Sequence, residues 1–379
     1  MNPPARGRLR VLHCHSTFDA GGKEVRCVRL MNALGEGLAH SVISAEPGAL
    51  GARALIDPGV AASFPEDFPP LKGRPSPARL WALARAMRGH DLILTYNWGA
   101  MDVVMAHRLF ARALGLAPLI HHEDGFNEDE AAGLKPQRNL YRRVGLGTAA
   151  RLIVPSHGLE RIALGAWRQP RGRVLRIANG IDTAAFAAPP DPAALPLAKA
   201  PGTHWVGTLA GLRAVKNLPL LVKACAALSP EWHLVICGEG PEEAAIRAAA
   251  AAHGLMDRVH LPGRVDPARV VGLFDIFALS SRSEQFPLAL AEAMAAGLPV
   301  AAPDVGDVRA MLSEPNRALV VPPGDGAALG AALARLAGDP ALRAALGAAN
   351  RAHARTHYDF AAMLAAYRAA YGAAIGRAI

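Results

Sequence analysis

The feature that most constrains this chain is an alternation of short, uninterrupted apolar runs with stretches of helical periodicity, and it occurs twice. In the first half the runs are 9–15, 41–44, 91–96, 118–122, 151–154 and 174–178, separated by helical patterns at 23–34, 77–87, 101–114 and 158–167. Strands that are apolar on both faces must be covered on both faces. Helices between successive strands supply that cover in a parallel sheet. A second series has strands at 204–209, 233–237, 258–261, 276–279, 300–302 and 318–321, with helices at 218–228, 242–253 and 287–296. Between the series fall Pro189, Pro190, Pro192, Pro196, Pro201 and Gly202, the best linker in the chain. The alternation predicts an α/β chain of two doubly wound, Rossmann-like domains, residues 1–188 and 203–355, joined by a linker at 189–202. From Pro340 the chain reads as helix with no strand left to cover, so 356–379 is expected to cross back to the first domain. Ligands of such sheets bind beyond the carboxyl ends of the strands. The expected site is therefore an inter-domain cleft.

Composition narrows the function classes. With 379 residues and 51 % apolar content the chain can bury two cores, which excludes a disordered or disulfide-stapled protein. Cys14, Cys27, Cys225 and Cys237 form no C-x-x-C pair, and a reducing compartment fits them. The longest candidate membrane run, 293–303, is broken by Gly297 and Pro299, well short of the roughly 18–20 residues a spanning helix needs. After the basic N-terminus, V-L-H-C-H is too short for a signal sequence. A cytoplasmic protein, soluble or peripheral on the inner face of a membrane, is expected. Net charge is +9, and residues 134–176 hold ten lysines and arginines against one acid, Glu160, a surplus equal to that of the whole chain. Such a segment suits an anionic partner, an anionic membrane surface above all. Nucleic acid is not expected, since no aromatic interleaving or DNA-binding motif accompanies the arginines.

The most informative stretch is 280–299, S-S-R-S-E-Q-F-P-L-A-L-A-E-A-M-A-A-G-L-P. Pro287 suits the first position of a helix and Gly297 its stop. Glu284 then lies in the loop at the strand end and Glu292 on the helix, too far apart to act on one atom but able to grip two ends of an elongated ligand. Between them the helix start offers backbone N–H groups near Phe286 and Leu288 to an anion. The run G-T-L-A-G-L-R-A-V-K-N at 207–217 sets Arg213 and Lys216 on a strand-to-helix loop at the same sheet edge, where cations neutralise a diphosphate. Two carboxylates flanking an anion-binding corner describe a nucleotide-sugar site.

At these residues the chain resembles the retaining, GT-B-fold glycosyltransferases of the family 4 type. The ordered motifs are D-A-G-G-K-E at 19–24, N-G-I-D-T-x-x-F at 179–186, the 207–217 loop, G-E-G-P at 238–241, L-P-G-R-V at 261–265, and E-x7-E at Glu284 and Glu292. The resemblance implies transfer of a hexosyl group from a UDP or GDP sugar to a carbohydrate or lipid-linked acceptor, in surface polysaccharide or glycolipid synthesis. It implies that Glu284 holds the sugar hydroxyls and Glu292 the ribose, that Lys216 and an arginine bind the diphosphate, and that Arg264 and Val265 line the base. Gly207, Gly238, Gln285, Phe286, Pro287 and Leu288 complete the donor site, and Gly21 and Gly22 bring the first-domain backbone to the phosphate. A histidine after a first-domain strand, His121 or His122, would contact the sugar. In this chain the family's phosphate arginine aligns with Gly211, two residues before Arg213, Gln285 stands where glycine is frequent, and the loop D-V-G-D-V-R at 304–309 departs from the usual form.

No cofactor and no metal are expected. D-x-D is absent, Glu128-Asp129-Glu130 reads as a solvated acidic turn, and in His13-Cys14-His15 strand alternation turns Cys14 away from the two histidines. Three rival readings stand beside the transferase. A dehydrogenase lacks its G-x-G-x-x-G, a non-catalytic nucleotide-binding scaffold draws on Gly211, and a nucleotide-sugar epimerase would act on the same fold.

Overall fold

β1 (Leu9–His15), a strand over the residues the apolar run predicts, is an interior strand, third from one edge, of a seven-stranded parallel sheet. The computed structural model describes residues 7–126, 130 and 133–379. The chain divides into two units, Met1–Ala178 with Met363–Ile379, and Asn179–Ala362. In the first unit β1 is followed by α1 (Gly22–Leu34), β2 (Leu38–Ser44), β3 (Ala61–Ser63), α2 (Pro77–Ala86), β4 (Leu92–Tyr96), α3 (Met101–Leu114), β5 (Leu119–His122), α4 (Pro136–Gly145), β6 (Arg151–Val154), α5 (His157–Leu164) and β7 (Val174–Arg176). The strand order is β3-β2-β1-β4-β5-β6-β7. One face of this sheet buries Leu12, Cys14, Ile93 and Leu152 against Leu83, Val103, Val104 and Ala163 of the helices.

The second unit runs α6 (Thr183–Ala187), β8 (His204–Leu209), α7 (Leu218–Cys225), β9 (Trp232–Cys237), α8 (Glu243–Ala252), β10 (Val259–Gly263), α9 (Pro267–Val270), β11 (Ile276–Ala278), α10 (Leu288–Ala295), β12 (Val300–Pro303), α11 (Val308–Met311), β13 (Val320–Val321), α12 (Gly326–Gly338) and α13 (Pro340–His357). Its parallel sheet has the order β10-β9-β8-β11-β12-β13. In both sheets the order reverses beside the first strand, at β1/β4 and at β8/β11. These reversals are the switch points where strand-end loops diverge and leave room for a ligand.

The structure departs from the sequence reading in four places. The chain enters the second unit at Asn179, so the proline-rich stretch is not a linker. Pro190 packs on Gly272, and Asp191 donates its N–H to the Arg269 carbonyl at 2.8 Å, which makes 189–202 a strap on that unit. Prolines lack donors and hold extended backbone, properties that serve a strap as well as a linker. The N-G-I-D-T run is a clasp: Ile181 exchanges backbone hydrogen bonds with Tyr358 and Phe360, and Thr183 donates to Asp359 at 2.6 Å. The terminal helical stretch is two helices, α13 and α14 (Phe360–Ile375), and the chain joins the first unit at Met363, not at 356. Finally, α4 escaped the periodicity because its inward positions are Arg142 and Gly145. Arg142 is buried on Glu123 and Glu130 at 3.2–3.3 Å, Arg138 bonds Glu130 at 3.0 Å, and Arg171 and Arg176 converge on Glu160. The 134–176 segment is therefore not a face of ten open cations; a window starting at 134 omits the buried acids that neutralise it. Glu130 is thus a buried ion-pair partner, while residues 128 and 129 lie outside the described residues. No described helix is long and apolar enough to cross a membrane.

Candidate active site

At the β8/β11 switch point, two loops far apart in sequence are stitched together. The loop after β8 makes a short 3₁₀ turn over Ala214–Lys216 and enters α7 through Asn217, held in the left-handed region at φ 50. The loop after β11 runs from Leu279 to Pro287. Arg282 donates its N–H to the Val215 carbonyl at 2.8 Å, and the Ser280 hydroxyl donates to the Lys216 carbonyl at 2.9 Å. The Lys216 ammonium reaches Glu284 Oε1 at 2.6 Å, and the Ser281 hydroxyl donates to the same oxygen at 2.7 Å. Glu284 and Lys216 side chains are 10 % and 18 % exposed, so the pair is largely shielded from solvent.

Behind this pair α10 starts one residue later than Pro287 alone suggests. Pro287 is its N-cap with extended backbone, and no side chain caps the helix start. Its first amides therefore look for an acceptor, beside a positive helix end. Glu292, half-buried, is the fifth residue of α10, about 6 Å along the axis from Leu288 at 1.5 Å per residue. Gly297 closes the helix at φ 81 with Leu298 N–H on Ala293 O and Gly297 N–H on Met294 O, the paired bonds of a Schellman stop. Gln285 and Phe286 lie half-buried in the loop, Phe286 edge-on to Tyr358 at 5.5 Å.

The departing loop at 304–309 has a clear role. Gly306, at φ 55, lies directly under the Glu284 backbone, where a Cβ would overlap the Glu284 carbonyl oxygen. Only glycine both adopts that conformation cheaply and leaves that space. Gly238 comes against the Ala210 carbonyl in the same manner and donates its N–H to Gly263 O at 2.8 Å, so the G-E-G-P turn, the 210–212 loop and the chain leading to Arg264 and Val265 form one rim. Arg213 folds back along this rim: its Nε lies 3.7 Å from where a Gly211 Cβ would stand. Gly207 does not belong to the rim. It lies inside β8 with the Phe274 ring in place of its missing side chain, a packing position.

In the first unit, Gly21 is the N-cap of α1 and Gly22 its first residue, both exposed. Gly21 leaves room for Glu24, whose Oε2 would lie 2.8 Å from a Cβ there. Glu24 is 3 % exposed, accepts from Thr17 at 3.3 Å and pairs with Lys23. This turn borders a cavity of about 880 Å³ at the β1/β4 switch point, lined among others by Ser16, Thr17, Lys23, Trp98, Arg138 and Tyr141.

Both histidines of H-H-E-D are buried, 0 % and 1 % exposed, against the expectation that one would face a ligand. β5 is an interior strand covered on both faces, so neither side of it meets a ligand. His122 donates from Nδ1 to the Thr95 carbonyl at 3.3 Å and accepts at Nε2 from the Tyr371 hydroxyl of α14 at 3.0 Å. Burial, with Arg26 nearby, pushes its pKa down to about 3, so it is neutral. His121 bonds Thr95 Oγ1 at 2.9 Å. The first partly open group past the strand end is Asp124, in a bidentate pair with Arg26, its N–H donating to Asn97 Oδ1 at 2.8 Å. The sequence reading missed Asp124, Glu24, Ser281 on Glu284, Ser280 on the Lys216 carbonyl and the cavity. The rule that ligands meet loops rather than strand interiors was the available signal for Asp124.

His13, His15 and Cys27 bring ligand-type atoms within 4.8 Å of one another, whereas Cys14 points to the opposite core as strand alternation predicts. His13 already bonds His40 at 2.9 Å and Tyr96 at 3.2 Å, and burial raises the Cys27 thiol to about 12. His13 and Cys27 are held in a hydrogen-bonded interior, while neither ring nitrogen of buried His15 has a hydrogen-bond partner among the described residues.

A model of "Glycosyltransferase Family 4" matches residues 20–185, and one of "Glycosyl transferases group 1" matches residues 197–353. The chain is 33 % identical over 180 residues to the lipopolysaccharide core biosynthesis mannosyltransferase LpcC of Rhizobium leguminosarum bv. viciae, covering 45 % of this chain and 51 % of that protein. It is 26 % identical over 349 residues to the D-inositol 3-phosphate glycosyltransferase of Mycolicibacterium gilvum, covering 80 % and 76 %. It thus spans about half the length of the first of these relatives. In fold it is similar to Anabaena HepE, solved in complex with UDP (TM-score 0.76, 18 % identity, 95 % of this chain and 98 % of that one), and to sucrose-phosphate synthase from Thermosynechococcus elongatus (0.73, 22 %, 95 % and 97 %). Two doubly wound sheets, each matched in order by its own family model, make this chain a member of the group 1 glycosyltransferases of the GT-B fold.

Proposed function

We propose that the protein moves a hexosyl group from a UDP or GDP sugar to a carbohydrate or lipid-linked acceptor, with retention and without a metal, on the cytoplasmic side of a membrane during polysaccharide or glycolipid synthesis. The observation that carries this is the Lys216–Glu284 pair at 2.6 Å beside the uncapped start of α10. In the reaction the bond from C1 to the diphosphate oxygen breaks, a bond from C1 to the acceptor oxygen forms, and the acceptor's proton balances the charge left on the diphosphate. Negative charge grows on the leaving oxygens. On this reading Lys216, Arg213 and the first amides of α10 face that charge, and fixed positive groups stabilise it more in the transition state than in the ground state. They supply the electrostatic work for which a metal would otherwise serve. A bound sugar competes for Glu284, so its hydroxyls replace Lys216 at the carboxylate and release the ammonium to the phosphate. Glu292 takes the ribose, and the rim at Gly238, Arg264 and Val265 takes the base. The 880 Å³ cavity with Trp98 at its wall has the size and the aromatic surface for a saccharide acceptor. The name of a lipopolysaccharide-core mannosyltransferase among the relatives supports the acceptor class.

The test is release of nucleoside diphosphate from a panel of UDP and GDP sugars, with and without chelator, and the anomeric configuration of the product. Release with every donor absent, despite tight nucleotide binding, favours the second reading, a nucleotide-binding scaffold, which Gly211 in place of an arginine supports.

A further inference from the structure

We infer that the outer face of α2, α3 and α4 docks on a bilayer surface carrying anionic lipid. This deepens the reading of a membrane-side acceptor and moves the contact from the 134–176 segment as a whole to α2, α3 and the α4 part of that segment. Six large apolar side chains stand exposed among the described residues, and four of them are on this face: Trp81 at 41 %, Leu109 at 55 %, Leu140 at 61 % and Val144 at 47 %. Leu140 and Val144 are one turn apart on α4 and so share a face. The helices adjoin. Trp81 of α2 meets Phe110 of α3 edge-on at 5.1 Å, Tyr141 of α4 donates to Asp102 of α3 at 2.6 Å, and Gly145 lies against Met101 and Met105.

The same helices and their ends expose Arg85, Arg88, Arg108, Arg112 and Arg143. Their single acid, Asp102, is half-buried and held by Arg79 and Tyr141. Apolar and aromatic side chains ringed by arginines, with no exposed carboxylate on the helices, match the interfacial zone of an anionic membrane. There the rings and aliphatic chains enter the headgroup layer while guanidinium groups reach lipid phosphates. A second copy of the chain fits less well, because a two-fold contact would set this arginine cluster against itself. The N-terminal ends of α3 and α4 also line the 880 Å³ cavity, through Met101, Asp102, Lys135 and Arg138, so the cavity borders the docking face, where a lipid-carried acceptor would be presented.

The experiment is co-sedimentation of the full chain with phosphatidylcholine vesicles, with and without phosphatidylglycerol, at low and high salt. Binding to the anionic vesicles alone, weakened by salt, is expected. Arg108→Gln with Arg112→Gln should lower partitioning roughly 25-fold, about fivefold for each arginine near the surface. Leu140→Ser with Val144→Ser should also lower it, while nucleoside diphosphate affinity, a property of the other unit, stays unchanged in both. Equal binding to neutral vesicles, binding indifferent to both double variants, or a dimer broken by the serine variant in a protein that ignores vesicles would each overturn the inference. Vesicle binding without sugar transfer would instead count against the proposed function and leave this face standing.

Discussion

Lys216 and Glu284 are 68 residues apart in sequence and 2.6 Å apart in space. β8 and β11 are neighbours at the strand-order reversal, so the loop after each must meet the other. The Lys216 ammonium and the Ser281 hydroxyl both meet Glu284 Oε1, which fixes the carboxylate from two sides. On the function proposed above, an incoming donor would find both groups already positioned.

Glu284→Gln should lower sugar transfer roughly 100-fold, the scale of losing one preorganised polar group at a reacting centre. Folding should be retained, because the side chain lies on a loop. Lys216→Ala should weaken nucleoside diphosphate binding about tenfold or more, the worth of a charged hydrogen bond. Steady-state rates and calorimetric titration measure the two; transfer by the Gln variant at the wild-type rate contradicts the role given to Glu284.

Gly306→Ala tests the support beneath Glu284. The new Cβ would overlap the Glu284 carbonyl oxygen, and the site has φ 55. Gly324→Ala is the control, since Gly324 has φ 75 but open space around it. Both should lose about 1 kcal/mol from the left-handed conformation. Only Gly306→Ala should also lose transfer. Equal activity in the two variants would show that the loop yields without moving Glu284.

Arg213 lies along the Gly211 backbone, which suits it to act from a displaced position. Arg213→Ala should reduce diphosphate affinity, and Gly211→Arg placed on that background should restore part of it. The affinity of the double variant decides: no recovery, with no loss in the single variant, removes Arg213 from the site.

Acid should unfold the first unit. Burial lowers the pKa values of His13 and His15, pushes His122 down to about 3 and His40 to about 4, against an unfolded value near 6.5. Below about pH 6.5 the unfolded chain takes up protons that the folded chain refuses, so protonation favours unfolding. Stability is unaffected by these groups above that pH. It falls as pH drops toward 4, by up to about 1.4 kcal/mol per pH unit for each histidine. Urea midpoints measured from about pH 7.5 to about pH 4.5, a range that spans the unfolded histidine value, check this. A flat profile would mean that the cluster opens to water.

Much of the fold was legible because apolar alternation is a local property. β1, α3, β6 and β8 begin and end where the pattern predicts. What escaped was local weakness: β3 is A-A-S with no apolar run, and α4 turns an arginine inward. The site was legible in part. Glu284, Lys216 and the start of α10 sit where strand-end loops must be, but His121 and His122, inside the strand the pattern places at 118–122, were misread because their burial is set by distant segments that pack on them, Thr95 on both and Tyr371 on His122.

By itself the sequence determined two parallel sheets and which loops cap them, since strand and helix periods are written in neighbouring residues. Only the tertiary structure decided that Lys216 faces Glu284, that Gly207 lies under Phe274, that His122 is closed off by Tyr371, and that Arg79, Arg138 and Arg142 are paired with acids while Arg85, Arg88, Arg108, Arg112 and Arg143 stand exposed. Each of those outcomes depends on what a distant segment brings to the same place, and pairing and burial are properties of that meeting rather than of either segment alone.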